Sequence, residues 1–450
     1  VSIKAPQPLP RRTLFFYGLS DMPIQVAMIP VLSLVPNLYG ADMGIEVAVV
    51  GTMMLIARSF DIVTDPLIGW ATDHTRSRWG RRRVWMLASI PFLTLASYRL
   101  FVPPDGVGAD YLLLWLAIFW LGWTMLQIPY YALGAELSAS YDERTRITAW
   151  RSWIGIAANV FSKLVPLVAG VCTVYFCFHL GGIRNNLLII GLMMLVLVPL
   201  TISATALGVH EPKSFVSART PLLPGLRLMW RNLPFRRLVG ALFINFLGQS
   251  IATVTVVFFI RDVLQEENLA ILMLLIFFGC QLIGIPFWNW FCQRIDKHRA
   301  WCLALFAFAG LHCLYMLLGA GDFLFMLPVT ACTGFLGAAF PVVPPSMTAD
   351  IVDLDTLETG EDRTAMYFAV SSFVVKIGSA FGPFMALALL GVTGYDQAVG
   401  AGGSLDGLRM LYSFGPALGF AFCALIVWNY PLTRTRHEAF RSELLKRRES

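Results

Sequence analysis

Charge is what this sequence has least of. Its 450 residues carry 34 Lys and Arg and 28 Asp and Glu, 14% of the chain, against roughly 25% in an ordinary soluble domain. A soluble chain of this length needs charged surfaces around two or three domains, and these charges are too few to coat them. Disorder is excluded from the other side: 57% of residues are hydrophobic and 13% aromatic, whereas disordered chains are poor in both. The eight Cys include no C-x-x-C pair, so neither a zinc site nor a redox motif is expected, and they read as packing residues. The six His are scattered, which speaks against haem held by facing pairs. G-x-S-x-G, H-E-x-x-H, P-loop and Rossmann signatures are all missing. The expectation is a chain that is not an enzyme and carries no cofactor.

What is present is apolar sequence in long runs. A bilayer core of about 30 Å needs about 20 apolar residues per helix. Twelve runs qualify, near 14–38, 46–71, 84–102, 111–136, 148–175, 185–208, 238–260, 269–292, 300–319, 322–347, 365–392 and 408–430. The longest polar gap splits them six and six. This predicts an all-α membrane protein of twelve transmembrane helices in two six-helix halves. The first half covers 1–208, a cytoplasmic linker 209–237, the second half 238–432 and a cytoplasmic tail 433–450. No cleavable signal peptide is expected, because the first run is too long for one and carries Asp21 in its interior.

The basic residues fix the orientation. With the N-terminus inside, Lys4, Arg11 and Arg12 fall in the cytoplasm with Arg76–Arg83, Arg144, Arg146, the linker basics from Lys213 and Arg219 to Arg237, Arg294, Lys297, Arg299, Arg363 and the tail basics Arg434, Arg436, Arg441, Lys446, Arg447 and Arg448. Only Arg99, Arg184, Arg261 and Arg409 fall outside. Both termini are therefore expected in the cytoplasm, and the net charge of +6 is a topology signal rather than a sign of nucleic-acid binding. The halves also echo each other. Arg83-Val84-Trp85 resembles Arg299-Ala300-Trp301, and Glu143-Arg144-Thr145 resembles Asp362-Arg363-Thr364. Similar offsets at two places suggest a duplicated unit.

Inside the runs only Asp21, Arg58, Asp61, Asp65, Arg151, Lys163 and Lys376 are ionisable. A charge at the bilayer centre costs about 2.5–3.5 kcal/mol even on the lenient insertion scale, so these side chains must face protein or a water-filled cavity. Asp61 and Asp65 are four apart and share a helix face with Thr64. Two carboxylates and a hydroxyl make a hard oxygen site suited to Na⁺ or H⁺. A salt bridge from Arg58 to Asp61 is the structural alternative, and the two readings are compatible. Trp120, Thr124, Gln127 and Tyr131 form one polar-aromatic face of the fourth run. Tyr17, Asp21 and Gln25 lie in the first run, Arg151 and Asn159 in the fifth, Asn245, Gln249 and Thr253 in the seventh, and Ser372, Lys376 and Ser379 in the eleventh. Interhelical hydrogen bonding is the bland reading of the neutral members. A mutual ion pair is the bland reading of Asp21, Arg151 and Lys376. Mixed charge clusters at 73–83, 142–146 and 350–363 lie on the cytoplasmic side in both halves. Pairing on closure and separating on opening would make them a gate, with Asp73, Arg78, Arg144, Asp362 and Arg363 as its candidate members.

Three ordered blocks carry a family resemblance. They are R-S-F-D-I-V-T-D-P-L-I-G-W-A-T-D-H-T-R-S-R-W-G-R-R-R-V-W at 58–85, I-P-Y-Y-A-L-G-A-E-L-S-A-S-Y-D-E-R-T-R-I-T-A-W-R at 128–151, and a third at 349–382 ending F-V-V-K-I-G-S-A-F-G. The chain resembles the glycoside–pentoside–hexuronide:cation symporters of the major facilitator superfamily. The resemblance implies a multi-pass plasma (inner) membrane symporter working by alternating access, with a sugar or glycoside, a monovalent cation (Na⁺ or H⁺) and membrane lipid as its partners. It implies a cation site at Asp61, Thr64, Asp65 and Thr124, and a substrate site at Asp21, Gln127, Tyr131, Arg151 and Lys376. Melibiose-type members have Asn in place of Thr64, Trp in place of Tyr131 and a second sugar-binding Asp in place of Gln127. Exchanging that carboxylate for an amide leaves one acid and two bases, which favours an acidic substrate such as a uronide glycoside. Lysophospholipid symporters or flippases share the fold and parts of these blocks, so an amphiphile is the alternative substrate.

Overall fold

The computed structural model describes residues 8–138, 140–176, 183–211, 221–266, 270–392, 405–437 and 439, and every described secondary-structure element is helical. Lys4, Lys213, Arg219, Arg441, Lys446, Arg447 and Arg448 lie outside the described residues, as does the side chain of Lys163. The helices are α1 (Arg11–Leu32), α2 (Val47–Ser59), α3 (Asp61–His74), α4 (Arg81–Phe101), α5 (Ala109–Glu136), α6 (Tyr141–Phe176), α7 (Ile183–Gly208), α8 (Leu222–Arg231), α9 (Leu233–Val263), α10 (Ala270–Arg294), α11 (Lys297–Leu314), α12 (Phe323–Gly337), α13 (Ala339–Thr359), α14 (Thr364–Val392) and α15 (Leu405–Trp428).

Among the described residues, ten helices are long and apolar enough to cross a membrane. They coincide with ten of the expected runs. The exceptions are the runs at 46–71 and 148–175, the two richest in internal charge. The first is interrupted at Phe60 into α2 and α3, of 13 and 14 residues, and carries Arg58, Asp61 and Asp65. The second is the 36-residue α6, which carries Arg151 and Lys163. The acidic stretch expected as a loop at 350–363 is helical as far as Thr359. Helices α12 and α13 together run 37 residues, well beyond the roughly 20 a bilayer needs, and the excess carries Asp350, Asp353 and Asp355.

The helices gather into two compact units. One is Val1–Leu222 with Thr359–Val370, and the other is Leu223–Glu358 with Ser371–Ser450. In unit 1 the core is built by α1, α4, α5 and α7 around Tyr17, Leu93, Phe101, Phe119 and Ile202. In unit 2 an aromatic cluster of Phe259, Tyr315 and Tyr412 packs α9, α11 and α15 together. Lipid tails supply no hydrophobic drive between membrane helices, so small residues that let backbones meet decide the contacts. Gly284 of α10 faces the Phe335 carbonyl of α12, and Gly334 of α12 faces the Phe277 carbonyl of α10. A Cβ at either position would run into that backbone. Gly155 in α6 is likewise filled by the Asp21 carboxylate of α1.

Gly334→Leu should lower stability by about 1–3 kcal/mol, the usual cost of forcing volume into a packed contact. A thermal-melting measurement in detergent should show a fall; an unchanged midpoint would mean that α10 and α12 are not held by this close approach.

Candidate cation and substrate sites

The interruption at Phe60 places Asp61 in the first turn of α3, where the positive end of the helix dipole favours a carboxylate. Asp65 follows one turn later. Both are buried, at 2% and 0% exposure. Thr124 Oγ1 of α5 donates to Asp65 Oδ1 at 2.8 Å and so orients that carboxylate. Arg58 Nη1 pairs with Asp61 Oδ2 at 3.0 Å, and its guanidinium lies 3.8 Å from the Trp120 ring centroid. The Thr64 hydroxyl is buried without a hydrogen-bond partner among the described residues. Asp61, Thr64, Asp65 and Thr124 thus come together in one unit, and the salt bridge to Arg58 forms beside them. Every one of the four offers oxygen, which suits a hard monovalent ion. Among the described residues no group of three or more His, Cys, Asp or Glu converges as a softer metal would require.

Around Asp21, unit 1 gathers polar and aromatic side chains. Gln25 Nε2 donates to Asp21 Oδ2 at 3.3 Å, while Asp21 Oδ1 is buried with no hydrogen-bond partner among the described residues. The Arg151 guanidinium stacks 4.1 Å from the Tyr131 ring centroid and acts electrostatically on Asp21 and Tyr17. Trp123 Nε1 donates to Gln127 Oε1 at 3.2 Å, and Gln127 Nε2 donates to the Tyr131 hydroxyl at 3.4 Å. The Tyr17 and Tyr130 hydroxyls each donate to the other residue's carbonyl, clamping α1 to α5. Asp21, Gln127, Tyr131 and Arg151 therefore share one neighbourhood. Lys376 is buried on α14 in unit 2.

A third cluster forms in unit 1 around the end of α3 and the start of α4. Arg82 is fully buried and pairs with Asp73 and Glu136, each at 2.6 Å. Arg81 bonds Glu136 at 3.0 Å and also pairs with Asp362. Asp73 accepts from the backbone N–H groups of Ala365 and Met366 at 3.1 and 3.0 Å, capping the start of α14. Glu211 accepts from the N–H groups of Arg81 and Arg82 at the start of α4, where Gly80, at φ +98°, leaves it room. Of the expected gate residues, Asp73 and Asp362 belong to this cluster. Arg144 is buried and donates to the Ser138 carbonyl at 2.9 Å. Arg363 is buried with Glu361 3.8 Å away. Arg78 is exposed. Sequence reasoning passed over Arg81, Arg82, Glu136 and Glu211. Glu136, an acid at the end of an apolar helix opposite an Arg triplet, was the available signal.

Comparison with known proteins comes down on the same side. Residues 16–434 match the model of a family described as MFS/sugar transport protein. The chain belongs to that family. It is accordingly a multi-pass membrane transporter. The inner membrane symporter YicJ of Escherichia coli is 26% identical over 92% of this chain and 90% of its own length. The isoprimeverose transporter of Lactiplantibacillus pentosus is 26% identical over 93% of this chain and 88% of its own. Among solved structures, an E. coli fucose:proton symporter superposes with a TM-score of 0.66 at 15% identity, covering 94% of this chain and 98% of the other. The family's fold is the all-helical major-facilitator architecture.

Two outcomes follow from the Arg82 cluster. Arg82→Gln leaves Asp73 and Glu136 buried without their cation and should cost about 3–5 kcal/mol. Arg58→Gln, which removes a 21% exposed arginine from a single carboxylate, should cost less than Arg82→Gln. Equal losses in denaturation would break that ranking. Burial pulls the Asp362 carboxyl up, but Arg81 and Arg82 outweigh it and hold the group below the usual carboxylate range. Such a group contributes stability that is present above its unfolded pKa and lost as pH falls through its lower folded value. Asp362→Asn should therefore be less stable than wild type at neutral pH, with the difference closing in acid; a gap that is constant with pH would exclude this origin.

Proposed function

We propose that this chain is a cation-coupled symporter that carries a sugar or glycoside, with an acidic glycoside as its preferred substrate. The observation that carries the coupling is the pairing of Asp61 with Arg58 beside Asp65 and two threonine hydroxyls. Two carboxylates and one guanidinium leave a single negative charge, which matches one monovalent cation, Na⁺ or H⁺. Arg151, held over Tyr131, is the group to receive a substrate carboxylate, since guanidinium–carboxylate pairing is strong and directional. Gln127 and Tyr131 present neutral hydrogen-bonding groups to sugar hydroxyls, and Asp21 accepts from them. Lys376 is proposed as a further substrate contact from its place in the sequence pattern.

The working cycle is alternating access between two six-helix halves joined by the linker 209–237, in the plasma (inner) membrane with both termini in the cytoplasm. No covalent step and no cofactor are needed. Asp73 and Asp362, with Arg81, Arg82 and Glu136, act as the cytoplasmic latch, and Arg144 and Arg363 support it. Arg78 is placed at its exposed rim.

The charge on the substrate determines the energetics. A neutral sugar with one cation moves net charge, so 100 mV contributes about 2.3 kcal/mol and a tenfold gradient about 1.4, together roughly 500-fold accumulation. A monoanion with one cation moves none, and only about the tenfold from the chemical gradient remains.

The test is uptake into energised membrane vesicles of p-nitrophenyl β-D-glucuronide, isoprimeverose and a lysophospholipid, with imposed Na⁺ or H⁺ gradients. Wild type should take up the glucuronide in a gradient-dependent and potential-insensitive way, and Asp61→Asn should abolish the dependence. Preference for the neutral disaccharide over the acidic probe would defeat the substrate assignment. Gradient-following uptake by Asp61→Asn would defeat the cation site, and uptake of the lysophospholipid alone would transfer the chain to the amphiphile carriers.

A further inference from the structure

Helix α9 is apolar, with a mean hydropathy of 1.8, yet it carries Asn245, Gln249 and Thr253 at intervals of four. That spacing sets them on one face. The other faces are occupied. Gly378 and Gly382 of α14 pack against Phe243, Phe246 and Ser250, and Gly248 packs against Pro416 and Gly419 of α15. Along the remaining face exposure falls in order: Thr253 is exposed, Gln249 half-buried and Asn245 fully buried. The three make a polar stripe within α9 whose exposure falls from Thr253 to Asn245.

The buried end of the stripe is chemically incomplete. Neither Nδ2 nor Oδ1 of Asn245 has a hydrogen-bond partner among the described residues, and the buried Nε2 of Gln249 has none either. The neighbouring polar residues of α9 behave differently. Ser250 donates to the Ser379 carbonyl at 2.8 Å, Thr253 to the Gln249 carbonyl at 2.8 Å and Thr255 to the Ile251 carbonyl at 2.7 Å. Ser250 thus bonds across to α14 and the two threonines bond back within α9, the ordinary uses of polar residues in a membrane helix; Asn245 does neither. A buried amide left unsatisfied carries its whole desolvation cost. A side chain kept at that cost is poised for something that enters the site. Asn245 also lies seven residues into the apolar run 238–260, about 10 Å along the axis and so inside a hydrocarbon layer of about 30 Å.

We infer that Asn245 and Gln249 form a hydroxyl-reading substrate subsite in unit 2, with Asn245 at its floor. This inference rests on the symport reading above and deepens it. An uncharged amide offers two donors and two acceptors, which complements a pair of neighbouring sugar hydroxyls. It holds neither a carboxylate nor a monovalent cation as strongly as the charged groups elsewhere in the chain do. The subsite therefore sets which ring hydroxyls are required, independently of the acidic group and of the coupling ion.

The experiment measures uptake of p-nitrophenyl β-D-glucuronide, isoprimeverose and the 2-deoxy and 3-deoxy forms of each, in wild type, Asn245→Leu, Asn245→Ser and Gln249→Ala. Wild type should have a KM about tenfold or more higher for one deoxy form than for its parent, the loss expected when a buried hydrogen-bonding group meets no partner. Asn245→Leu should raise KM for the parent and erase that discrimination, while the cation concentration for half-maximal uptake stays fixed. Gln249→Ala should weaken the discrimination in part. If Asn245→Leu does not reach the membrane, Asn245→Ser and Gln249→Ala make the same comparison. Full discrimination retained in the variants, with unchanged KM, would overturn the subsite. A wild type that takes up none of the probes under any gradient would instead overturn the symport reading, and the subsite with it.

Discussion

A charge taken out of water has to find a partner, and that requirement organises this molecule more than any other. The helices are apolar enough that ordinary packing places most of their residues. The few ionisable side chains within or beside them have no such freedom. Asp61 is met by Arg58, Asp73 and Glu136 by Arg82, and Asp350 by Lys297. Each pair ties two stretches of chain that hydrophobic contact alone would leave free to slide. Lipid-facing surfaces can shift at little cost, whereas a buried ion pair cannot be half-formed. The pairs thus fix the register of the helices that carry them.

The two units meet the requirement in parallel ways. Unit 1 buries Arg82 against Glu136, and unit 2 buries Lys297 against Asp350 at 2.6 Å. In both, a base at the start of one helix reaches an acid on another helix of the same unit. The tail adds to the second cluster: His437 Nε2 lies 3.1 Å from Asp353, and Arg434 bonds the last carbonyls of α10.

Much of the architecture was legible before any coordinates. Apolar length located the helices because a bilayer sets one length scale for all of them. It was least informative at α2, α3 and α6, where internal charges interrupt the apolar signal. Helical spacing was enough to join Asp61 to Asp65 and to warn of Arg58, since all three lie within two turns. Spacing along one helix says nothing about which distant helix answers it, and so Glu136, Arg81, Arg82 and Glu211 were passed over. Arg78 illustrates the reverse. It lies four residues before the fully buried Arg82, and nothing local in the sequence tells the two apart, yet Arg78 is exposed. The acidic run after Met347 read as a loop because its charges are dense; Lys297 neutralises Asp350 and the helix continues.

Asp73 grips α14 through the amide groups of Ala365 and Met366 rather than through any side chain. Every amino acid but proline supplies that amide. This contact therefore places no demand on the side chains of residues 365 and 366, which are constrained instead by their burial, whereas it does demand the aspartate. A comparison that looks for matched pairs of changing residues would link Asp73 to Arg82 of α4, its side-chain partner, and would miss its hold on α14.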